Sequence, residues 1–573
     1  MPRLVSTSPT PLAAPVDVDV AVCGGTLGVF LASALAARGL TVAVVERGPL
    51  RGRAQEWNVS QGELDCLVAA GAVSRADADA ARRSSFGPTR VAVHGAAERL
   101  AGGRGAGGPD VEAWARGVLD LGVAPDALVA AAAARVGAAP GCRVLAGATL
   151  TGVDVCPDGA RLSLEPSGAP TDGRDAAPAT LTARLVVDCL GNASPLAAQA
   201  RDGARPDGAC LVVGTVASGY GASRLAPSLL DNGDVLATDS DLDVDPDSLS
   251  AQLFWEAFPS ATGPDDRTTY AFVYARLDGD GAPPPSLTLT RLFSAYLDHL
   301  GPYQGLDDVD ASLTWRRALF GAFPAYRDAP LASRFDRILH AGDAGGQQSP
   351  LSFGGFGALG RHAQRIANAV EEAVLLEDEG GLSRSALAAI NPYSPGLSAA
   401  WLFQRAMSAG GGRAGGGGGA SPSFVNRLLG GAFAAMGGGA RDVAGDPSGA
   451  SARARAAADP TDGAPLRPFL QDVLRFGDLA SVLARQVAAD PLHVGPILAN
   501  LGPTAVAAWT GHFAALGAYT ALGSGALAAG LGRPASPPAD GRRRAKPAGG
   551  LWGLMLRRAA EGWVYGAGLD WEG

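Results

Sequence analysis

The sequence predicts an α/β protein: a doubly wound, Rossmann-type domain, an inserted antiparallel β domain and a C-terminal helical extension. Three observations carry this. A β-branched run ends in a glycine-rich turn and a helix near residue 25. A short apolar strand ends in Gly342-Asp343 and is followed by a second glycine-rich helix start. Between residues 208 and 330, strand-like runs alternate with loops carrying Pro and Asp.

The first element is the most informative. Val16, Val18, Val20 and Val22 alternate as a strand, Ala21-Val22-Cys23-Gly24-Gly25-Thr26-Leu27-Gly28 forms the turn, and Thr26 through Arg38 reads as a helix. A second strand over Thr41–Val45 ends in Glu46-Arg47. This layout seats a dinucleotide pyrophosphate on a helix N-terminus, at Gly24, Gly25, Thr26 and Leu27. Gly25 admits close backbone approach, Gly28 lets the helix pack on the strand, and Glu46, with Arg47 beside it, would accept the ribose hydroxyls. Cys23 stands where the first glycine of the fingerprint usually falls, which is tolerable while its φ stays negative.

The second element is Arg337–His340 running into Ala341-Gly342-Asp343-Ala344, then Gly345–Gly357 and a helix over Ala358–Leu376. An acid at a strand end, Asp343, can accept a hydrogen bond from a ribityl hydroxyl. Gly354, Gly355 and Gly357 open a helix start whose N–H groups stabilise negative charge. A domain binding only NAD has no use for this second grip, so the pair of elements points to FAD.

The chain of 573 residues divides as follows: 1–16 a flexible tail; 17–207 and 331–382 the two parts of the FAD-binding domain; 208–330 the substrate β domain; 383–573 helical, with flexible insertions near 409–422, 441–465 and 533–550. Ala127–Val136 reads as a helix, Cys142–Leu150 and Leu181–Val187 as strands, and Thr151–Val155 with Arg161–Leu164 as a hairpin. Ala209–Val216, Tyr270–Arg276 and Leu287–Leu292 read as strands of the inserted sheet. A net charge of −9 disfavours nucleic acid as a partner. The six cysteines show no metal or disulfide spacing and the six histidines are scattered, so no metal site is expected. Residues 1–16 lack the apolar core of a secretory signal and read instead as the stub of an organelle-targeting segment.

The opening turn, Val187-Asp188-Cys189-Leu190-Gly191-Asn192-Ala193-Ser194 and Gly342-Asp343 occur in an order that resembles the aromatic-hydroxylase-like flavoprotein superfamily. That superfamily includes class A monooxygenases, geranylgeranyl reductases, lycopene cyclases and flavin-dependent halogenases. Glu46–Ser60 and Gln348–Gly357 are similar to lycopene-cyclase-like FAD oxidoreductases of cyanobacteria and plastids. So are Ile390-Asn391-Pro392-Tyr393, Trp401–Arg405 and Trp563–Gly568. The resemblance implies FAD, a plastid or cytoplasmic location, and the addition of Arg53 (near the pyrophosphate) and Pro350 to the cofactor-binding set.

Departures narrow the chemistry. Leu190 precedes Gly191 where class A monooxygenases carry an acid, and Phe254-Trp255-Glu256-Ala257-Phe258-Pro259 lacks the tryptophan-halogenase signature. Thr269–Tyr274 lacks the carboxylate of the lycopene cyclase acidic strand, which argues against cyclisation. What remains is flavin redox chemistry near Gln347–Phe353, with Gln348 and Ser349 orienting substrate or flavin. Trp255, Phe258, Tyr270, Phe272 and Tyr274 would line an apolar cavity, and Glu256 and Arg317 are the charged residues to test, although no catalytic residue is assigned. The reading is an FAD-dependent oxidoreductase acting on an apolar, isoprenoid- or carotenoid-like substrate, with NAD(P)H or ferredoxin as donor. Its rivals are a non-catalytic flavin- or lipid-binding protein and a redox-neutral flavin-dependent cyclase or isomerase. Residues 491–532 carry no Asp, Glu, Lys or Arg. They read as a buried helix pair, with a peripheral membrane face as the alternative.

Overall fold

The computed structural model describes residues 3–94, 111–167, 178–238, 252–260, 263, 265–277, 287–408, 422–436, 465–538, 541–547 and 549–571. The insertions expected near 409–422 and 441–465 fall almost wholly outside these residues.

Five short parallel strands form the heart of the molecule. In spatial order they are Arg143–Ala146, Val42–Glu46, Val18–Cys23, Thr180–Asp188 and Ile338–His340. They are nearly continuous in Val, Leu, Ile and Ala because both faces are covered, one by helices and the other largely by the Ala148–Cys156 and Gly159–Pro166 strands. The Gly28–Ala36, Pro125–Ala138 and Gly355–Leu375 helices pack on one side. The Ala148–Cys156 and Gly159–Pro166 hairpin extends the sheet through Thr180–Asp188. The tail does not hang free: Val5–Thr7 adds a parallel strand beside Val153–Val155, where the hairpin would otherwise leave an open edge.

The second sheet has seven strands in the order Thr314–Ala325, Gly208–Ser218, Arg267–Arg276, Leu253–Pro259, Asp234–Thr238, Thr89–His94 and Val111–Ala115. It is mostly antiparallel, with one parallel pair between Asp234–Thr238 and Thr89–His94. Two of its strands come from the 17–207 stretch, so this sheet, expected within 208–330, is not confined to it. Leu287–Leu292 is not a strand. It is the start of the Leu289–Gln304 helix, capped by Thr288, whose hydroxyl accepts from Arg291 N at 3.2 Å. Leu292, Ala295, Tyr296, Leu300 and Tyr303 give that helix its apolar stripe, and the stripe covers one face of the sheet.

The C-terminal region is helical. Residues 491–532 form two helices, Pro491–Leu501 and Pro503–Ala528, and they are not a buried pair: on the longer one only Ala505, Leu516, Gly523 and Ala526 are buried. No helix among the described residues is long and apolar enough to cross a membrane. The described residues of the 533–550 stretch, expected to be a flexible insertion, instead lie on the parallel-sheet domain. Arg543 pairs with Asp19, Arg544 N donates to Glu371 at 3.0 Å, and Lys546 reaches Asp378 at 2.9 Å.

One polar cluster inside the second sheet bears on its stability. Arg90 is 1% exposed and joins three adjacent strands, pairing with Asp234 at 3.0 Å and Glu112 at 3.0 Å. Burial disfavours its charge, and the two carboxylates more than restore it. Arg90→Ala strands two carboxylates and is expected to cost about 3–5 kcal/mol. Urea unfolding monitored by tryptophan fluorescence measures this.

Candidate functional site

Every strand of the parallel core runs in the same direction, so Cys23, Glu46, Ala146, Asp188 and His340 end at one edge. Ligands of open α/β sheets bind outside such an edge. Cys23, Asp188 and His340 are direct register partners, which puts the two glycine turns two strand spacings apart, about 10 Å. Asp188 ties this row together. It is fully buried, accepts from Ser194 Oγ at 2.6 Å and from Leu190 N at 3.1 Å, and its Oδ2 lies 2.8 Å from His340 Nδ1. The second turn has its own support: Gln347 Oε1 accepts Gly342 N at 2.7 Å, and Asn391 bonds both Gln347 and the His340 carbonyl.

A cavity of about 1520 Å³ opens at this edge. Pockets for drug-sized ligands hold roughly 300–1,000 Å³, so there is room for an extended dinucleotide and a second molecule. Gly24, Gly25, Thr26, Leu27, Glu46, Arg47, Arg53, Gly342, Asp343, Gly354, Gly355 and Gly357 all line it. Gly28 and Pro350 do not. Gly28 is a packing residue: a Cβ there would lie 2.8 Å from Val22 and 2.9 Å from Cys189.

The glycines have separate physical reasons. Gly24 adopts φ +98°, and a Cβ on it would lie 2.2 Å from the Cys189 carbonyl oxygen. Cys23 ends the strand, fully buried and outside the left-handed region, so the conformational demand falls on Gly24. Gly355 and Gly357 let the second helix start close against two acids. Their Cβ atoms would lie 2.3 Å from Asp343 Oδ1 and 2.1 Å from Glu63 Oε1. Neither the Gly28–Ala36 nor the Gly355–Leu375 helix has a side-chain cap, and both N-termini face the cavity. Phe353, in the turn before the second helix, holds φ +53°, a strained conformation for a bulky residue.

The acids are placed unequally. Glu46 accepts from Gly25 N at 2.6 Å and Gly48 N at 3.0 Å, which fixes its carboxylate beside the first turn. Asp343 Oδ1 is buried without a partner; burial raises its pKa and Arg53 draws it back. Asp472, from the C-terminal region, reaches the same cavity through Ser352, and burial pushes it up to about 7. Nothing in its local sequence signals that role.

The far wall is one face of the second sheet. Strand alternation sends Glu256, Phe258, Tyr270, Phe272, Cys210, Val212 and Phe323 toward the cavity. Trp255 has the opposite parity and packs in the core against Tyr296 and Tyr303, so it is not a cavity residue. Tyr274 lies just outside the lining, its hydroxyl on the Leu351 carbonyl. Arg317 lines the cavity from the edge strand. Gln348 and Ser349 do not line it: Gln348 bonds Asn192 at 3.1 Å and Ser349 accepts Leu351 N at 3.1 Å. Leu351, Ser352 and Phe353 face it instead. Glu256 is partly buried and sits opposite Tyr270 in register; desolvation alone pushes its carboxyl up to about 7. The chain's single lysine, Lys546, is ion-paired with Asp378 and Glu379, so the cavity has no primary amine from a lysine. No group of three or more potential metal ligands occurs among the described residues.

Two predictions follow from this geometry. Gly24→Ala meets backbone and a left-handed φ and is expected to cost at least about 2 kcal/mol, whereas Gly357→Ala meets the movable end of Glu63 and costs less. Thermal or urea denaturation ranks them. Glu256 is protonated in the folded protein up to a value above its unfolded one, near 4.3. Its contribution to stability is therefore complete below about pH 4 and is lost as pH rises through about 7. Relative to wild type, Glu256→Gln should gain roughly 3 kcal/mol across that window, read from urea midpoints at several pH values.

No protein-family model matches the chain, and no curated protein sequence does. Solved structures share its fold. The halogenase PltM matches with a TM-score of 0.50 at 13% identity, covering 87% of this chain and 96% of that one. FqzB gives 0.47 at 14% identity over 70% of this chain and 87% of that one. CmlS, a flavin-dependent halogenase, gives 0.46 at 15% identity over 82% and 77%. At these identities the likeness concerns architecture: this chain is folded as PltM is, a Rossmann-type α/β domain carrying a second sheet.

Proposed function

We propose that this protein is an FAD-dependent oxidoreductase acting on an apolar substrate of isoprenoid or carotenoid type. The observation that carries the reading is the convergence of two uncapped, glycine-rich helix starts on one large cavity, with an aromatic sheet face opposite. The donor set suits FAD. Gly24, Gly25, Thr26 and Leu27, with Arg47 and Arg53, would hold the pyrophosphate, and Glu46 the adenosine ribose. The unpartnered Oδ1 of Asp343 would take a ribityl hydroxyl. Gly354, Gly355 and Gly357 would face the flavin edge that becomes negative on reduction. Bound FAD would supply hydride acceptance and delivery. The chain's own part is to exclude water with Val212, Phe258, Phe272 and Phe323 and to hold a proton at the Glu256 carboxyl. The solved structure of PltM with FAD supports the cofactor by analogy only. The kinship with lycopene-cyclase-like enzymes, the NAD(P)H or ferredoxin donor and the plastid location belong to the same proposal. So does a peripheral membrane contact, for which Leu492 and Trp552, each 87% exposed, are the candidate anchors.

One observation favours a second reading. The strand aligned with the cyclase acidic motif lacks a carboxylate, but Glu256 stands beside it, in register with Tyr270 and on the same face. A proton source is therefore present, and redox-neutral isomerisation or cyclisation re-enters.

Purified protein should copurify with or take up FAD, with an absorbance band at about 450 nm. Asp343→Ala should weaken flavin binding on the order of tenfold. Bleaching by NADPH or reduced ferredoxin in a single turnover supports the oxidoreductase. Product without net electron consumption, abolished by Glu256→Gln, supports the second reading. Failure to bind FAD under any condition removes both. Mass spectrometry of the bound lipid extract identifies the substrate class.

A further inference from the structure

A second cavity, of about 60 Å³, lies behind the start of the Gly355–Leu375 helix. Glu63, Gly357, Gln471 and Asp472 line both cavities and form the wall between them. One side of the small cavity is a single helical face, with Ala358, Arg361, His362 and Arg365 at i, i+3, i+4 and i+7. Gly562, Tyr565 and Gly566 of the terminal helix line the opposite side, and a Cβ on Gly562 would lie 2.8 Å from Pro392. The terminal helix presents two glycines here, which leaves space beside the long Arg361, His362 and Arg365 side chains.

The charges in it are not evenly matched. Arg361 is neutralised by Asp570, at 2.5 and 2.7 Å. Arg365 is only 4% exposed and has no carboxylate within ion-pair distance among the described residues; Glu561 and Asp570 act on it from farther away and Arg558 opposes them. Its Nη atoms go to the Ile390 carbonyl and, at 3.5 Å, to Asn391, its plane lies 5.1 Å over Tyr565, and its Nε has no partner. His362 Nδ1 is also buried without a partner. A buried guanidinium is stable only with a counter-charge or full hydrogen bonding. The cavity has space for a few water-sized groups and no more.

We propose that this pocket binds a small monovalent anion, a halide or the carboxylate of a one- or two-carbon acid, between Arg365 and His362. Of the two carboxyls on the dividing wall, Glu63 accepts from the Ser60 N–H and hydroxyl at 2.7 and 2.9 Å. Burial pushes Asp472 up to about 7, and its protonated form can donate a hydrogen bond into the same space. The proposal does not depend on the flavin reading, since none of the groups invoked in it was assigned to FAD except Gly357.

Two experiments on the full chain test it. Crystals soaked in sodium bromide should show an anomalous peak between Arg365 and His362. In solution, sodium bromide or sodium formate, set against sodium gluconate at constant ionic strength, should raise the Tm saturably, because gluconate is too large to enter. Arg365→Gln should weaken that saturable effect on the order of tenfold or more. An effect of bromide alone identifies a halide site, and of formate alone a carboxylate site; either supports the proposal. Absence of a peak together with no saturable shift overturns it. A peak without a solution effect is an adventitious ion only and overturns it equally. If Arg365→Gln fails to fold, the wild-type titration with its gluconate control still decides.

Discussion

A carboxylate buried at the centre of the parallel sheet sets the geometry on which everything else rests. Asp188 lies between the ends of the two strands that carry the glycine turns, and it spends its oxygens on Ser194, Leu190 and His340. Three chain segments far apart in sequence are thereby locked into one row. With the row fixed, the turns at Gly24 and Gly342 cannot drift apart, and the two uncapped helix starts that follow them point into the same chamber. Asp188 was legible only as part of a motif; its work is to hold the motif's neighbours. Asn391 and Gln347 act similarly on the second turn, which gives the Ile390–Tyr393 motif a structural reason to exist.

What could be read from the residues, and what could not, divides along physical lines. The parallel strands announce themselves because they are buried on both faces and bounded by glycine, and both turns were legible from spacing alone. Sequence and structure part where one pattern serves two structures. Leu287–Leu292 alternates like a strand, but Thr288 caps a helix whose apolar positions recur three and four residues apart. Trp255 looks like a cavity aromatic by composition, but an odd position cannot share a face with Glu256's even-numbered neighbours. Asp472 and Glu63 line the chamber from distant segments, and no local signal betrays a contact made only in three dimensions. The strand at Val5–Thr7 is too short to stand out from a polar tail.

Guanidinium groups fasten the C-terminal region to the sheet domain. Arg543 reaches Asp19, Arg544 reaches Glu371, Arg361 holds Asp570, and Arg558 lies between Glu372 and Glu561. Arginine suits such seams, since its planar fork serves two acceptors and remains charged when half buried. The extension thus sits down along a line of ion pairs as well as apolar helix contacts.

Asp472 gives that docking a chemical meaning. Because it belongs both to the chamber and to the smaller void behind it, the partition between those spaces is built partly from the terminal third of the chain. The helical extension is therefore masonry of the chamber, and the chamber's polarity can be retuned by altering residues more than a hundred positions away from either glycine turn.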